Sequence, residues 1–508
     1  MMNWIDKKLN MVTMYRLVLY YLMGLLVCAV ILGYFGLLPY TPLALVFETI
    51  LITWFCFLTN KIFSKVFEAP TNIESVYITA LILVFLIAPL KSFGDMAFYS
   101  LALWASVFAM ASKYMFAIKK KHIFNPAAIA LVVTSLFIGG SASWWIGTPW
   151  MMVPVFVGGF LLTRKLIRWD LVWSFFVAVI AVMLFSHLTG GSIFTDLQRL
   201  TMSSPLFFFA FVMLTEPLTA PPTKALRIMY GLIVGFFFAP ATHIGSIYFT
   251  PEMALVIGNL FAYTVSPKDK LVLKLNQLKE IAKDTYDFVF VPNKPITYKP
   301  GQYMEWTYDH PSPDNRGNRR YFTLASSPTE PNLRIGLKFY PNMSTYKRNI
   351  LRMGQSNTVV ASQRAGDFTM PKDKKQKLVF IAGGIGITPF RSMLKYLVDK
   401  KEKRDIVLFY SNKKLEDVAY TDVFDEALEV LGVPTIYSLS DLPTIPPTWL
   451  GERGFIDARM IQKYTPDFKD RMFYISGPHA MVSTFETMLR NMGVEGSSIK
   501  TDFFPGFV

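Results

Sequence analysis

Two hydrophobic patterns divide the chain. Up to about residue 267, apolar residues come in long runs, near 16–38, 43–63, 74–91, 96–117, 126–142, 150–163, 169–188, 205–220, 225–241 and 251–267. Several reach the roughly 20 residues that cross a bilayer as a helix. Those near 126–142, 150–163 and 205–220 are shorter, which predicts tilted, broken or re-entrant segments. The first run is too long for a secretory h-region and lacks a small-residue cleavage site, so it reads as a span.

After Ser266-Pro267-Lys268 the residues alternate instead. Leu271–Leu275, Tyr286–Val291, Met304–Tyr308 and Leu333–Phe339 read as short strands between Pro, Gly and Asn turns. That pattern predicts a small antiparallel β-barrel. A helix is expected over Tyr346–Met353, with Ser344 or Thr345 as its N-cap. Near residue 378 the pattern changes again. Leu378–Ala382 is a continuous apolar run, followed by Gly383-Gly384-Ile385-Gly386-Ile387-Thr388-Pro389 and then a helix from Phe390. Strand, Gly-rich turn and helix form a phosphate-cradling arrangement. Further strands at Asp405–Tyr410 and Arg471–Ile475 predict a parallel α/β sheet with ligand loops at the strand C-termini. The expected fold is therefore multi-domain. A polytopic helical membrane domain of about ten spans covers 1–267, an antiparallel β-barrel 268–372, and a parallel-sheet α/β domain 373–508.

Composition and charge sharpen this. The chain is 52% hydrophobic, and the excess lies before residue 267. Its net charge of +15 does not point to nucleic acid, because in the first half the basic residues cluster between apolar runs. With ten spans, Lys7, Lys8, Arg16, Lys61, Lys65, Lys119–Lys121, Arg164, Lys165, Arg168, Lys224, Arg227, Lys268 and Lys270 fall on one side, and Lys91 and Arg199 on the other. The positive-inside rule then puts both termini, and everything after residue 268, in the cytoplasm. Two cysteines, Cys28 and Cys56, exclude a Cys-ligated iron–sulfur cluster within this chain. His122, His187, His243, His310 and His479 do not pair at helical spacing within one span, which argues against a bis-His haem and leaves no expected metal site. Flavin remains, since hydrogen bonds and stacking hold it without metal ligands.

Three places in the first half carry candidate chemistry. In Lys119-Lys120-Lys121-His122-Ile123-Phe124-Asn125-Pro126, Asn125 is a good N-cap and Pro126 a good first helical residue. The lysines make either an anion site at a helix N-terminus or ordinary anchoring. In Thr215-Glu216-Pro217-Leu218-Thr219, a carboxylate and a proline inside an apolar run force a helix break. Glu216 then either lines a cavity or sits at the interface and pairs with Lys224 or Arg227. Ser141–Trp150 holds three tryptophans typical of an interfacial belt.

Phe124-Asn125-Pro126-Ala127-Ala128, the Arg164–Trp169 run and the Phe-Phe-Ala-Phe…Thr-Glu-Pro-Leu-Thr-Ala-Pro segment with Gly231 and Gly235 resemble the NqrB/RnfD membrane subunits of ion-translocating NADH:quinone and ferredoxin:NAD oxidoreductases. The resemblance covers roughly residues 12–267. It implies a flavin, FMN or riboflavin, in the membrane half, with Asn125, Thr148, Thr215, Glu216 and Thr219 as flavin or ion candidates. The family's Ser-Gly-Ala-Thr attachment motif is absent, and Gly147-Thr148-Pro149 stands near its place.

In Arg320-Tyr321-Phe322-Thr323 the cation suits a pyrophosphate, the ring an isoalloxazine and the hydroxyl a flavin nitrogen. A solvated Arg beside a buried Phe would give the same four residues. In order, Pro300-Gly301-Gln302-Tyr303, Arg320–Thr323, Gly366-Asp367-Phe368, Gly383–Pro389, Tyr410-Ser411, Gly477-Pro478-His479-Ala480-Met481 and the terminal Phe503-Phe504-Pro505-Gly506-Phe507 resemble the ferredoxin–NADP⁺ reductase superfamily. By that resemblance Arg320, Tyr321, Phe322, Thr323, Ser344, Thr345, Gly366 and Phe368 belong to an FAD site. Gly383, Gly384, Gly386, Thr388, Pro389, Ser411 and Lys413 meet NAD(P)H. Gly477, Pro478 and Met481 line its nicotinamide side, Thr323 and Ser476 stand at the reacting centre, and Phe503 or Phe507 covers the ring. Ser476 replaces the family's usual Cys.

Together these imply a multi-pass cell-membrane oxidoreductase. It would pass electrons from NAD(P)H through FAD to a membrane flavin, then to a quinone or trans-membrane acceptor. The alternatives are a redox-driven Na⁺ or H⁺ pump subunit, with a small ion as partner, and a non-catalytic flavin sensor.

Overall fold

The computed structural model describes residues 5, 9, 12–67, 73–118, 121–188, 193–268, 270–314, 317–354 and 357–502. Lys7, Lys8, Lys119, Lys120, Phe503 and Phe507 lie outside the described residues. The chain divides into two compact units, Met1–Lys268 and Asp269–Val508.

The N-terminal unit is helical. Its main helices are Met14–Tyr34, Pro42–Val66, Ile73–Leu86, Met96–Met115, Pro126–Phe137, Pro149–Leu166, Trp169–His187, Lys224–Phe238 and Pro251–Val265. Among the described residues, four are long and apolar enough to cross a membrane: Met14–Tyr34, Pro42–Val66, Met96–Met115 and Trp169–His187. Local chemistry sets the starts. Thr41 and Asn125 cap Ala44 and Ala128, each with proline next in sequence, and Asp95 caps Phe98. Glycines set the spacing. A Cβ on Gly231 would lie 2.7 Å from the Leu171 carbonyl, and one on Gly235 2.5 Å from that of Phe175. Helices 169–187 and 224–238 therefore approach backbone to backbone.

The run 205–220 does not span as one helix. Leu206–Phe208 passes into a π-helical turn, Phe209–Met213, and the helix ends before Glu216. Pro217 has no N–H and clashes with a preceding turn, so the break is built in. One element was not expected from the apolar pattern: Ile193–Met202, a short amphipathic helix with Asp196 and Arg199.

The C-terminal unit holds two sheets. The first contains strands β1 (Lys270–Ala282), β2 (Thr285–Pro292), β3 (Tyr303–Thr307), β4 (Arg319–Thr323), β5 (Leu333–Lys338) and β6 (Thr358–Ala365). They are antiparallel, in the order β4-β3-β6-β1-β2-β5. The sheet curls enough that Ala325, just past edge strand β4, donates its N–H to the Arg334 carbonyl of edge strand β5 at 2.8 Å.

The second contains β7 (Leu378–Gly383), β8 (Ile406–Asn412), β9 (Thr435–Leu439), β10 (Glu452–Arg453), β11 (Met472–Ser476) and β12 (Ile499–Asp502). All pairs are parallel, in the order β10-β9-β8-β7-β11-β12. The chain works outward from β7 on one side, then returns to β11 on the other. The strand order reverses between β7 and β11, the place in such a sheet where ligands bind at the carboxyl ends.

A buried charge network pins the sheets together. From helix Thr388–Lys400, Arg391 donates to Glu330 through both terminal nitrogens and to the Ala325 carbonyl at 2.9 Å. Ser392 donates to the Ser326 carbonyl at 2.6 Å. Arg334 bonds Asp287 at 2.7 Å, and Tyr420 donates to the other Asp287 oxygen at 2.9 Å. Arg391 and Glu330 are nearly buried, at 5% and 13% exposure. Arg391→Met leaves the Glu330 carboxylate without its main partner. The expected loss is roughly 3–5 kcal/mol, measured by denaturant unfolding of the C-terminal unit.

Candidate functional site

The parallel register assembles one row of residues at the strand C-termini. Asp502 lies beside Ser476, Ser476 beside Ala382, Gly383 beside Ser411, and Ser411 beside Ser438. Residues from five distant segments thus share one edge, where backbone amides of the following turns converge.

The two turns at this reversal touch closely. A Cβ on Gly383 would fall 2.1 Å from the Met481 sulfur, and one on Gly386 2.4 Å from the Ser476 carbonyl. At Gly386 only hydrogen fits, because the obstacle is backbone; at Gly383 a side chain would have to displace the Met481 thioether. Gly384 differs: its φ is +53° and a Cβ there would meet nothing within 4 Å, so its backbone faces open space. That is the geometry of a turn a phosphate approaches. Thr388 and Pro389 start the next helix, where the Thr388 hydroxyl donates to the Ile385 carbonyl. Gly477 and Pro478 sit with Met481 on the opposite lip. Lys413 stands two residues after Ser411, just past the end of β8.

Strand β4 presents two faces. Arg320 and Phe322 share one, both against Tyr346: the guanidinium lies 5.0 Å from its ring centre and the Phe322 ring 6.0 Å. Tyr321 and Thr323 share the other. Tyr321 donates to Glu305 at 3.0 Å, and Thr323 is buried. Ser344 caps helix Thr345–Leu351 by accepting from the Lys347 N–H, which leaves its own O–H to donate. Thr345 accepts from the Asp314 N–H at 2.9 Å and meets His310 at 3.2 Å. Gly301, at φ +90°, and Gly366, at φ +115°, bend the chain around Gln302, whose carbonyl accepts from the Leu324 N–H. Phe368 packs in the core against Phe390 and Tyr474.

Asp502 is the residue that the sequence reading missed. Its carboxyl lies near the Thr323 hydroxyl, so the last strand of the parallel sheet comes up to the last residue of β4. Burial pushes the carboxyl up to about 7, and the nearby Thr323 hydroxyl pulls it back only in part. No motif marks Asp502; the one sequence signal is a polar residue ending a short strand.

The N-terminal unit holds a second cluster. Asn125 donates its side-chain N–H to Glu216 at 2.9 Å, and Thr219 donates to the same oxygen at 3.0 Å. Backbone N–H of Asn125 donates to Asn259, which in turn donates to Tyr230 at 3.0 Å. Thr215 returns its hydroxyl to the Phe211 carbonyl in the π turn. Arg227, offered by the sequence as a Glu216 partner, instead bonds Asp170 at 2.7 Å. Beside this cluster is a cavity of about 60 Å³ whose polar wall is Ser75, Thr79, Asn125, Thr215 and Glu216. A smaller one, about 10 Å³, lies under Thr148, whose buried hydroxyl has no hydrogen-bond partner among the described residues. That volume holds about one water and not a flavin ring.

Residues 133–268 match the family model described as NQR2, RnfD, RnfE family, and residues 380–487 match the oxidoreductase NAD-binding domain. The chain joins these two domain types. The N-terminal unit is thus a membrane domain, and the C-terminal unit is an oxidoreductase module whose make-up fits FAD and NAD(P)H. The glycine betaine monooxygenase reductase subunit of Pseudomonas aeruginosa is 27% identical over 236 residues, 44% of this chain and 62% of that one. The flavohemoprotein of Oceanobacillus iheyensis is 28% identical over 244 residues, 46% of this chain and 58% of that one. The chain thus spans about three-fifths of the length of these curated relatives. Among solved structures, the flavohem-like FAD/NAD-binding domain of nitric oxide dioxygenase from Vibrio cholerae aligns with a TM-score of 0.41 at 19% identity, over 46% of this chain and 98% of that one.

The Asp502 shift has a sign. The folded state keeps a proton that the unfolded chain loses near its ordinary 3.8. Its favourable contribution is complete below that value and lost as pH rises through about 7. Raising the pH from 6 to 8 is therefore expected to lower the wild-type melting temperature more than that of Asp502→Asn. Thermal scans of the two proteins at both values check it.

Proposed function

We propose that the protein oxidises NAD(P)H on the cytoplasmic side and passes the electrons to an acceptor in or across the bilayer. The observation that carries this is the row at the parallel-sheet edge, with Gly384 open beside it and Thr323 and Asp502 at its end. In this reading the ten apolar runs cross the membrane, both termini are cytoplasmic, and so is the C-terminal unit.

FAD, when bound, supplies the exchange between a two-electron hydride and single electrons. The chain's part is placement. Arg320 and the start of helix Thr345–Leu351 are set to hold the pyrophosphate, Ser344 with a hydroxyl able to donate. Phe322 offers a face to the ring and Thr323 a hydroxyl to its reactive edge. The amides of Gly383–Ile387 take the donor's diphosphate, and Ser411 and Lys413 meet its adenosine end. Ser476, buried between Ala382 and Asp502, closes the reacting side.

In the membrane unit, the wall made by Asn125, Thr215 and Glu216 would hold the polar edge of a second flavin, FMN or riboflavin. Thr148 is the one hydroxyl near the family's attachment position, though its cavity as it stands admits no ring. A quinone or a trans-membrane acceptor would take the electrons onward.

Thr323→Val deletes one hydrogen bond at the reacting edge. NADH-to-ferricyanide turnover is expected to fall about tenfold, the cost of one bond of roughly 1.4 kcal/mol. Unchanged turnover would count heavily against the ring assignment. Glu216→Gln should leave that dye activity intact while slowing reduction of a quinone added to the same membranes.

A further inference from the structure

Glu48 is a carboxyl that neither the fold nor the electron route uses. It lies in helix Pro42–Val66 with 0% exposure, and neither of its oxygens has a hydrogen-bond partner among the described residues. Its neighbours one turn away on the same helix, Ala44, Leu45 and Ile52, are buried and apolar. An ionised carboxylate in such surroundings is very costly, and intramembrane carboxyls persist where they carry a function.

Glu48 also begins a stripe. Glu48, Ile52, Cys56, Thr59 and Asn60 are the buried residues along one face of that helix. Helix Met96–Met115 packs against this helix, with Ser106 beside Cys56. About 18 Å along from Glu48, Asn60 accepts from Tyr114 at 2.8 Å. Next to Tyr114, Lys113 donates to Ser75 and Thr79, which line the Glu216 cavity. Polar groups thus recur along this helix between Glu48 and that cavity.

The groups around Glu48 are few. Tyr40, in the loop before the helix, is close enough to feel a charge on Glu48. On the helices packed against it, Arg16 pairs with Glu74 at 2.6 Å and Lys113 is held by Ser75 and Thr79, all at the opposite end. Asp95, at the near end, accepts from the Phe98 N–H. Among the described residues no group of three or more His, Cys, Asp or Glu is placed to hold a metal ion. A sodium ion needs several oxygen ligands; a proton needs one.

We propose that Glu48 is a proton-binding site inside the bilayer, loaded and unloaded as electrons pass through the same unit. Binding converts one carboxylate and one proton to a carboxylic acid and changes no other bond. The loading cycle rests on the electron-transfer reading above; the site itself does not.

The test uses full-length protein in liposomes. Dicyclohexylcarbodiimide reacts with protonated carboxyls in apolar surroundings, and peptide mass spectrometry locates the adduct. Glu48 should be labelled without NADH. Labelling should fall about tenfold per pH unit above its midpoint and stay the same when NaCl replaces choline chloride. No adduct on Glu48, or protection by Na⁺ at fixed pH, overturns the proton site. With pyranine trapped inside, wild-type vesicles should show an NADH-driven pH change that is lost in Glu48→Gln and kept in Glu48→Asp, with ferricyanide turnover equal in all three. A pH change that survives in Glu48→Gln overturns the loading cycle. If the adduct forms but wild-type vesicles show no pH change, the loading cycle falls while the site stands.

Discussion

A carboxylate beside a broken helix, inside an apolar bundle, must find its partners within the protein. Glu216 finds them in Asn125 and Thr219, and much of the N-terminal unit follows from that pairing. Asn125 caps one helix with its side-chain oxygen and holds Glu216 with its side-chain nitrogen. Its backbone N–H reaches Asn259 on the last helix, which reaches Tyr230 on the one before. Four chain segments are tied by one set of hydrogen bonds, at the place where Pro217 forbids regular helix. The adjoining cavity is therefore framed by groups that cannot relax independently.

The C-terminal unit answers a different constraint. A parallel sheet brings distant segments side by side only at fixed register, so Ser476, Asp502, Ala382 and Gly383 share an edge by geometry and not by sequence proximity. The antiparallel sheet must then be fixed against that edge. Arg391 and Ser392, on the helix that follows the glycine turn, bond the 325–330 segment that follows β4. The glycine turn and β4 are thus anchored through the same few residues, and Thr323 comes near Asp502 where they meet.

Much of this was legible in the chain. The glycines of 383–386 and the strand before them carry strong local signals, because an apolar run, a tight turn and a helix start each need particular residue types. The Asn125-Pro126 helix start was equally plain. The partner choice of Glu216 was not: Arg227 is near in sequence, but it follows Pro221 and Pro222 and turns to Asp170, leaving the carboxylate to a residue 91 positions away. Asp502 escaped notice because its role exists only through strand register. Helix Ile193–Met202 escaped because its charges hide it from a search for apolar runs.

The account stands on two redox groups in one chain, one beside each polar edge described. The most direct measurement is the number of flavins per polypeptide in detergent-purified protein, by acid extraction and intact mass, together with anaerobic NADH titration. Two isoalloxazines per chain, both bleached by NADH, are predicted. A single flavin that takes up the full reducing equivalent, with no second redox-active group, would contradict it.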